Sequence, residues 1–176
     1  MRTPRSHYEA AFERYLQQSG VPYAVAEAIP LMARRNTGLK SFDYLIRPPA
    51  MRPCLVDLKG RKSTGGDPAA VRQKNWVTRS DVDGLLAWQQ VFGPDYEAVF
   101  VFAYWLAALG DTPDGMQNAG LTFGGRRYSF WLVSVEEYCR HQRQLSPRWR
   151  TVSVPRADFR RISRPIDEYW RLSPVD

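Results

Sequence analysis

The stretch Ser41–Lys62, SFDYLIRPPAMRPCLVDLKGRK, decides how the rest of the chain is read. It holds two short apolar runs, each interrupted by one acid. Asp43 stands among Phe42, Tyr44, Leu45 and Ile46; Asp57 stands among Leu55, Val56 and Leu58, and Lys59 follows. Runs of this length and composition read as strands. Side chains alternate between the two faces of a strand, so Asp57 and Lys59 point the same way while Leu58 points into the opposite layer. An unpaired charge inside a core strand is costly or shifts its pKa. Two readings fit the cluster. Asp57 and Lys59 form a salt-bridged sheet edge, or a carboxylate and an ammonium on one face, with Asp43 on the partner strand, hold a divalent metal beside a cationic group.

Upstream, residues 6–19 (SHYEAAFERYLQQS) predict a helix. Ser6 with Glu9 has capping-box spacing, Gly20 ends the run, and Tyr8, Ala11, Phe12, Tyr15 and Leu16 recur at helical spacing. Glu9 lies at the margin of that apolar face, and Glu13 points further out. A helix bearing Glu9, then Asp43, then Asp57-Leu58-Lys59 resembles the PD-(D/E)xK nuclease superfamily over roughly Tyr8 to Leu106. Phe42 stands where the motif's name puts Pro, and Asp57 fills the slot that takes either acid.

The resemblance implies an α/β fold of restriction-endonuclease-like type, a mixed central β-sheet flanked by helices. It implies metal-dependent hydrolysis of phosphodiester bonds. Mg2+, or Mn2+, would be held through oxygen by Asp43, Asp57, the backbone carbonyl of Leu58 and Glu9, the donor type that hard ions take. Glu13 is the reserve for Glu9, and Glu27 is a further possible ligand. Lys59 would orient the nucleophile or stabilise charge developing on the phosphate. The small size, without a separate sequence-reading region, looks most like a structure-specific nuclease such as a Holliday-junction resolvase, which works as a dimer. The alternative is a nuclease-fold module that has lost its chemistry and binds nucleic acid or a protein partner.

The charge pattern points to a polyanion. The net charge is +7 over 176 residues. Residues 1–33, 34–79, 80–125 and 126–176 carry 0, +8, −6 and +5, so the strongest positive block surrounds Asp43 and Asp57. DNA is the expected partner, with RNA open, and Arg34, Arg35, Lys40, Arg61, Lys62, Arg72 and Lys74 are the candidate phosphate contacts. GRKSTGGD in residues 60–67 lacks the spacing of a phosphate-binding loop, which argues against a nucleotide triphosphatase. Cys54 and Cys139 match no zinc spacing, and two histidines are too few for a histidine-based hydrolase. The longest apolar run, Ala98–Leu109, is too short to span a bilayer and reads as a central strand; a soluble, intracellular protein is expected.

The remaining segments complete one domain over 1–176. Pro22–Ile29, Lys40–Arg47 and Cys54–Gly60 read as strands, and 60–77 as a mobile basic loop. Trp76 in that loop either stacks on a base or packs against the next helix. That helix is expected over Ser80–Phe92, capped by Ser80, with Asp81 and Asp83 at the positive end of its dipole. Gln89 falls on its apolar face, where its amide either bonds a neighbouring backbone group or, as the resemblance implies, orients the attacking water. Residues 110–125 read as an exposed loop, Arg126–Val133 as a strand, Ser134–Leu145 as a helix, Trp149–Val154 as a strand, and the chain after Pro165 as a last helix. Trp131, Trp149 and Trp170 fill either a dimer seam or, as the simpler expectation, the chain's own core.

Overall fold

The computed structural model describes residues 6–28, 40–49, 51–63, 74–107, 115–117 and 120–171. Helix α1 (His7–Gln18) is capped by Ser6, whose hydroxyl accepts the Glu9 N–H, and it buries Ala11, Phe12, Tyr15 and Leu16. Strands β1 (Tyr23–Val25), β2 (Tyr44–Ile46) and β3 (Cys54–Ser63) follow, with a 3-10 turn at Ala26–Ala28. Next come β4 (Val77–Thr78), α2 (Arg79–Phe92) and β5 (Glu97–Leu106). After them lie β6 (Gly115–Gln117), β7 (Gly120–Phe123) and β8 (Arg126–Ser134). Helix α3 (Val135–His141), β9 (Arg143–Ser146), β10 (Thr151–Ser153), α4 (Arg156–Ile162), β11 (Arg164–Pro165) and α5 (Ile166–Arg171) complete the order.

Among the described residues the main sheet runs β1-β2-β3-β5-β8-β7-β6, with β11 also on β8; β3 and β5 are parallel and the other pairs antiparallel. Its two faces bury separate cores, as strand alternation requires. One face sets Cys54, Val56, Val99, Val101 and Phe130 against α1. The other sets Leu55, Phe100, Phe102 and Val133 against α2, α3 and α4 through Leu85, Trp88, Tyr138 and Phe159. A second sheet, β4-β10-β9, packs beside this latter core through Val77 and Val152. Among the described residues no helix is long and apolar enough to cross a membrane.

Several boundaries differ from the sequence reading for local reasons. Strand β3 continues to Ser63 because β5 pairs with it as far as Leu106. Helix α2 starts one residue early: Thr78, not Ser80, is the cap, and it forms a capping box with Asp81. Helix α3 stops at His141, and residues 143–146 pair instead with β10. Helix α4 was not expected, since it anchors to the core through only the buried Phe159 and the partly buried Ile162. The segment expected as an exposed loop carries β6 and β7, and Gly120 packs so tightly on the Tyr128 carbonyl that a Cβ would overlap it.

Candidate metal and nucleic-acid site

The register of β3 places Asp57 opposite Phe100 and Lys59 opposite Phe102, on the α2 face. Asp57 is 5% exposed. The Lys59 Nζ lies 2.7 Å from the Asp57 Oδ1 and 3.0 Å from the Asp81 Oδ1. Asp81 is itself buried and also pairs with the Lys40 ammonium. Its other oxygen accepts the Thr78 N–H at 2.8 Å, and its own N–H donates to the Thr78 hydroxyl at 3.1 Å. The cap of α2 thus doubles as the second anion of the Lys59 ion pair.

Asp43 precedes β2 at a bend, where its N–H donates to the Val56 carbonyl at 2.8 Å. Its Oδ2 accepts the Leu58 N–H, also at 2.8 Å. The carboxylate therefore crosses to β3 beside the residue that follows Asp57. Burial pushes the Asp57 carboxyl up to about 7; Lys59 opposes the rise, and the charges of Asp43 and Asp81 add to it. Burial also works against Asp81, yet Lys59 and the hydrogen bonds from Lys40 and Thr78 hold it at about 2. Burial opposes the charge of Lys59 too, and its two carboxylate partners overcome that, raising it above its usual range. The neighbouring acids thus differ in their affinity for a proton, and Asp57 is the one whose negative charge is under-compensated.

On the α1 face, the Tyr44 hydroxyl donates to the Glu13 Oε1 at 3.0 Å. Burial pushes that phenol far up, and the charges of Glu13, Glu9 and Asp43 add to the effect. Glu9 was expected to complete a metal site with Asp43 and Asp57. Among the described residues, however, no three His, Cys, Asp or Glu side chains gather as a set that could hold a metal ion. The reason is placement: α1 covers the face opposite to Asp57 and Lys59. The side chains that do come together are Asp57, Lys59, Asp81 and Lys40, with Asp43 joined to them through the Leu58 backbone.

Other expected site residues divide. Gln89 does not reach over the strands; its Oε1 accepts the Ala98 N–H at 2.8 Å and its Nε2 donates to Glu136 at 3.1 Å, which ties α2 to the start of β5 and to α3. Arg61 is turned inward rather than outward to a phosphate. Its guanidinium donates to the carbonyls of Gly60 and Trp76 and lies 4.1 Å from the Trp76 ring centre. Lys62 is exposed on the α1 face, 4.5 Å from the Trp105 ring, and Lys74 is exposed with its ammonium on the Lys62 carbonyl at 2.7 Å. Lys40 is half exposed. Arg34, Arg35 and Arg72 lie outside the described residues.

Asp81 is the site residue that sequence reasoning missed. Its signal was Thr78-x-x-Asp81, a capping-box spacing that also carries a carboxylate to the helix end nearest β3.

No protein-family model matches the chain, and no curated protein matches it in sequence. Among solved structures the chain is similar to Hjc of Archaeoglobus fulgidus, a Holliday junction resolvase from an archaeal hyperthermophile, with a TM-score of 0.50 and 9% identity. The match covers 90% of this chain and 93% of that one. At that identity the likeness is one of fold: the chain shares with that resolvase a mixed α/β architecture, a mixed central sheet flanked by helices.

Proposed function

We propose that this chain is a metal-dependent endonuclease that hydrolyses phosphodiester bonds of DNA, with a preference for branched substrates of the junction-resolvase kind. The observation that carries the reading is the placing of the Asp43 carboxylate, just before β2, on the Leu58 N–H of β3, next to Asp57, whose under-compensated charge lies beside Lys59 in a sheet like that of the resolvase. Two carboxylates whose charges disfavour one another fit a hard divalent cation, which would relieve both the repulsion and the burial of Asp57. Asp43, Asp57 and the Leu58 carbonyl would hold Mg2+ or Mn2+, with water and substrate oxygens filling the remaining positions. Such an ion, when bound, polarises a phosphate and acidifies a water.

The chain's own residues have separate tasks in this reading. Asp81, itself paired with Lys40, fixes the position of the Lys59 ammonium, which sits on the Asp57 side of β3 to meet charge growing on the phosphate. Asp43 closes the Leu58 N–H and sets the register of β2 on β3 at the site. The rival reading, a nuclease-fold module that binds without cutting, draws on the want of a third side-chain ligand among the described residues.

One assay separates the two. Wild type and Asp43→Asn are incubated with labelled linear, flapped and four-way DNA in Mg2+, Mn2+ or EDTA. Cleavage by wild type that requires metal, is greatest on branched DNA and is lost in the variant bears out the proposal. Binding without cleavage under every metal gives the rival.

A further inference from the structure

Three large apolar side chains stand out in solvent among the described residues: Trp76 at 41%, Leu145 at 56% and Trp149 at 68% exposure. They converge on one face of the β4-β10-β9 sheet, where with Thr78, Ser146 and Thr151 they line a groove of about 370 Å³. Trp149 is held outward by a tight turn. Its N–H donates to the Ser146 hydroxyl at 3.3 Å, the Arg150 N–H donates to the Pro147 carbonyl at 3.2 Å, and Arg150 takes a left-handed φ of 48°. It is the only non-glycine residue among those described with positive φ, a conformation that costs energy and is kept where surrounding structure demands it.

The rim is predominantly basic. Segments 74–80 and 142–157, which supply the groove and its rim, carry the exposed Lys74, Arg79, Arg143, Arg148, Arg150 and Arg156 and no acid. The Arg148 guanidinium lies 5.1 Å from the Trp149 ring centre, and Arg61 stacks on Trp76. A second copy of the chain would bring two cationic rims together, whereas a polyanion neutralises them. Aromatic rings beside guanidinium groups in a basic trough are what unpaired bases stack on, with phosphates tracking the rim.

We propose that this groove is a stacking platform for unpaired bases of a nucleic acid, a reading that rests on the nuclease assignment only for the class of substrate. The platform adjoins the ion-pair cluster. Thr78 lines the groove and gives its N–H to Asp81, and Asp81 receives Lys59. A strand whose unpaired bases lie on Trp149 and Trp76 is thereby carried toward Asp57, which makes a substrate with a single-stranded segment next to the scissile bond.

The test is fluorescence anisotropy in EDTA, where no cleavage occurs, with a labelled oligo-dT single strand and a duplex of equal length. Wild type, Trp149→Ala and Trp149→Phe are compared, and melting temperatures check that each variant is folded. Trp149→Ala should weaken single-strand binding about tenfold, the scale of losing one stacked base, and Trp149→Phe should restore most of it. Duplex binding should be unchanged. Equal losses on both DNAs, no loss on either, or a wild-type dimer that Trp149→Ala dissociates overturns the platform. The two readings fail separately: Trp149-dependent single-strand binding without cleavage in Mg2+ removes the nuclease alone, and cleavage without that dependence removes the platform alone.

Discussion

Asp57→Asn removes a carboxyl whose affinity for its proton the fold has raised from 3.8 to about 7. The folded chain holds that proton more tightly than the unfolded chain does. The stabilisation is therefore complete below the unfolded value and is lost as pH rises through 7. A gap of about three pH units, each a little over 1 kcal/mol, amounts to a few kcal/mol, of which roughly 2–3 kcal/mol falls between pH 5 and pH 8. The side chain is nearly inaccessible, so solvent screening removes little of this. Asp81 is shifted the other way, to about 2, and its stabilisation is lost only as pH falls through that value, outside the window. The lowered His7 contributes equally to both proteins and cancels from their difference. The variant keeps the Lys59–Asp81 pair and so retains a partner for the ammonium. Urea unfolding of both proteins in EDTA at four pH values measures the effect. Wild type should lose roughly 2–3 kcal/mol relative to Asp57→Asn between pH 5 and pH 8. Parallel pH curves would refute the account of an under-compensated buried Asp57.

Other perturbations probe neighbouring features. Mg2+ at about a hundred times its Kd should raise wild-type stability by about 2.7 kcal/mol at pH 8 and leave Asp57→Asn unmoved, read from the same urea curves. Gly60→Ala would drive its Cβ into the Tyr8 ring above β3, displacing the start of α1; a loss of roughly 1–3 kcal/mol is expected by thermal melting. Gln89→Leu strands the partly buried Ala98 N–H. It should cost roughly 1–3 kcal/mol while leaving the cleavage rate per folded molecule unchanged, the opposite of what a water-orienting role requires.

Much of the frame was legible because it rests on local rules. The apolar run Ala98–Leu109 read as a central strand, which the structure forms over Glu97–Leu106, and the D-x-K alternation put Asp57 and Lys59 on one face, as β3 does. Ser6 capped α1 where its spacing said it would. The misreadings have non-local causes. Helical spacing cannot tell which sheet face a helix will cover: α1 lies across the sheet from Asp57, and the charge of Glu9 acts with those of Glu13 and Asp43 on Tyr44. Of the two roles left open for Gln89, its amide oxygen took the backbone one, accepting the Ala98 N–H of β5, a partner fixed only by how α2 docks. Residues 143–146 left the helix pattern because β10 offered a ladder to pair with. Trp149, expected in a core, stays 68% exposed because it sits in the tight turn between β9 and β10.

The claim beneath the whole account is that Asp43 and Asp57 share one hard cation. Crystals grown in Mn2+ and measured at a wavelength where manganese scatters anomalously test it directly. The account predicts an anomalous peak within about 2.0–2.6 Å of a carboxylate oxygen from each aspartate and of the Leu58 carbonyl, the range of oxygen ligands to hard divalent ions. No peak there at saturating Mn2+, or a peak bound by one aspartate alone, would contradict it.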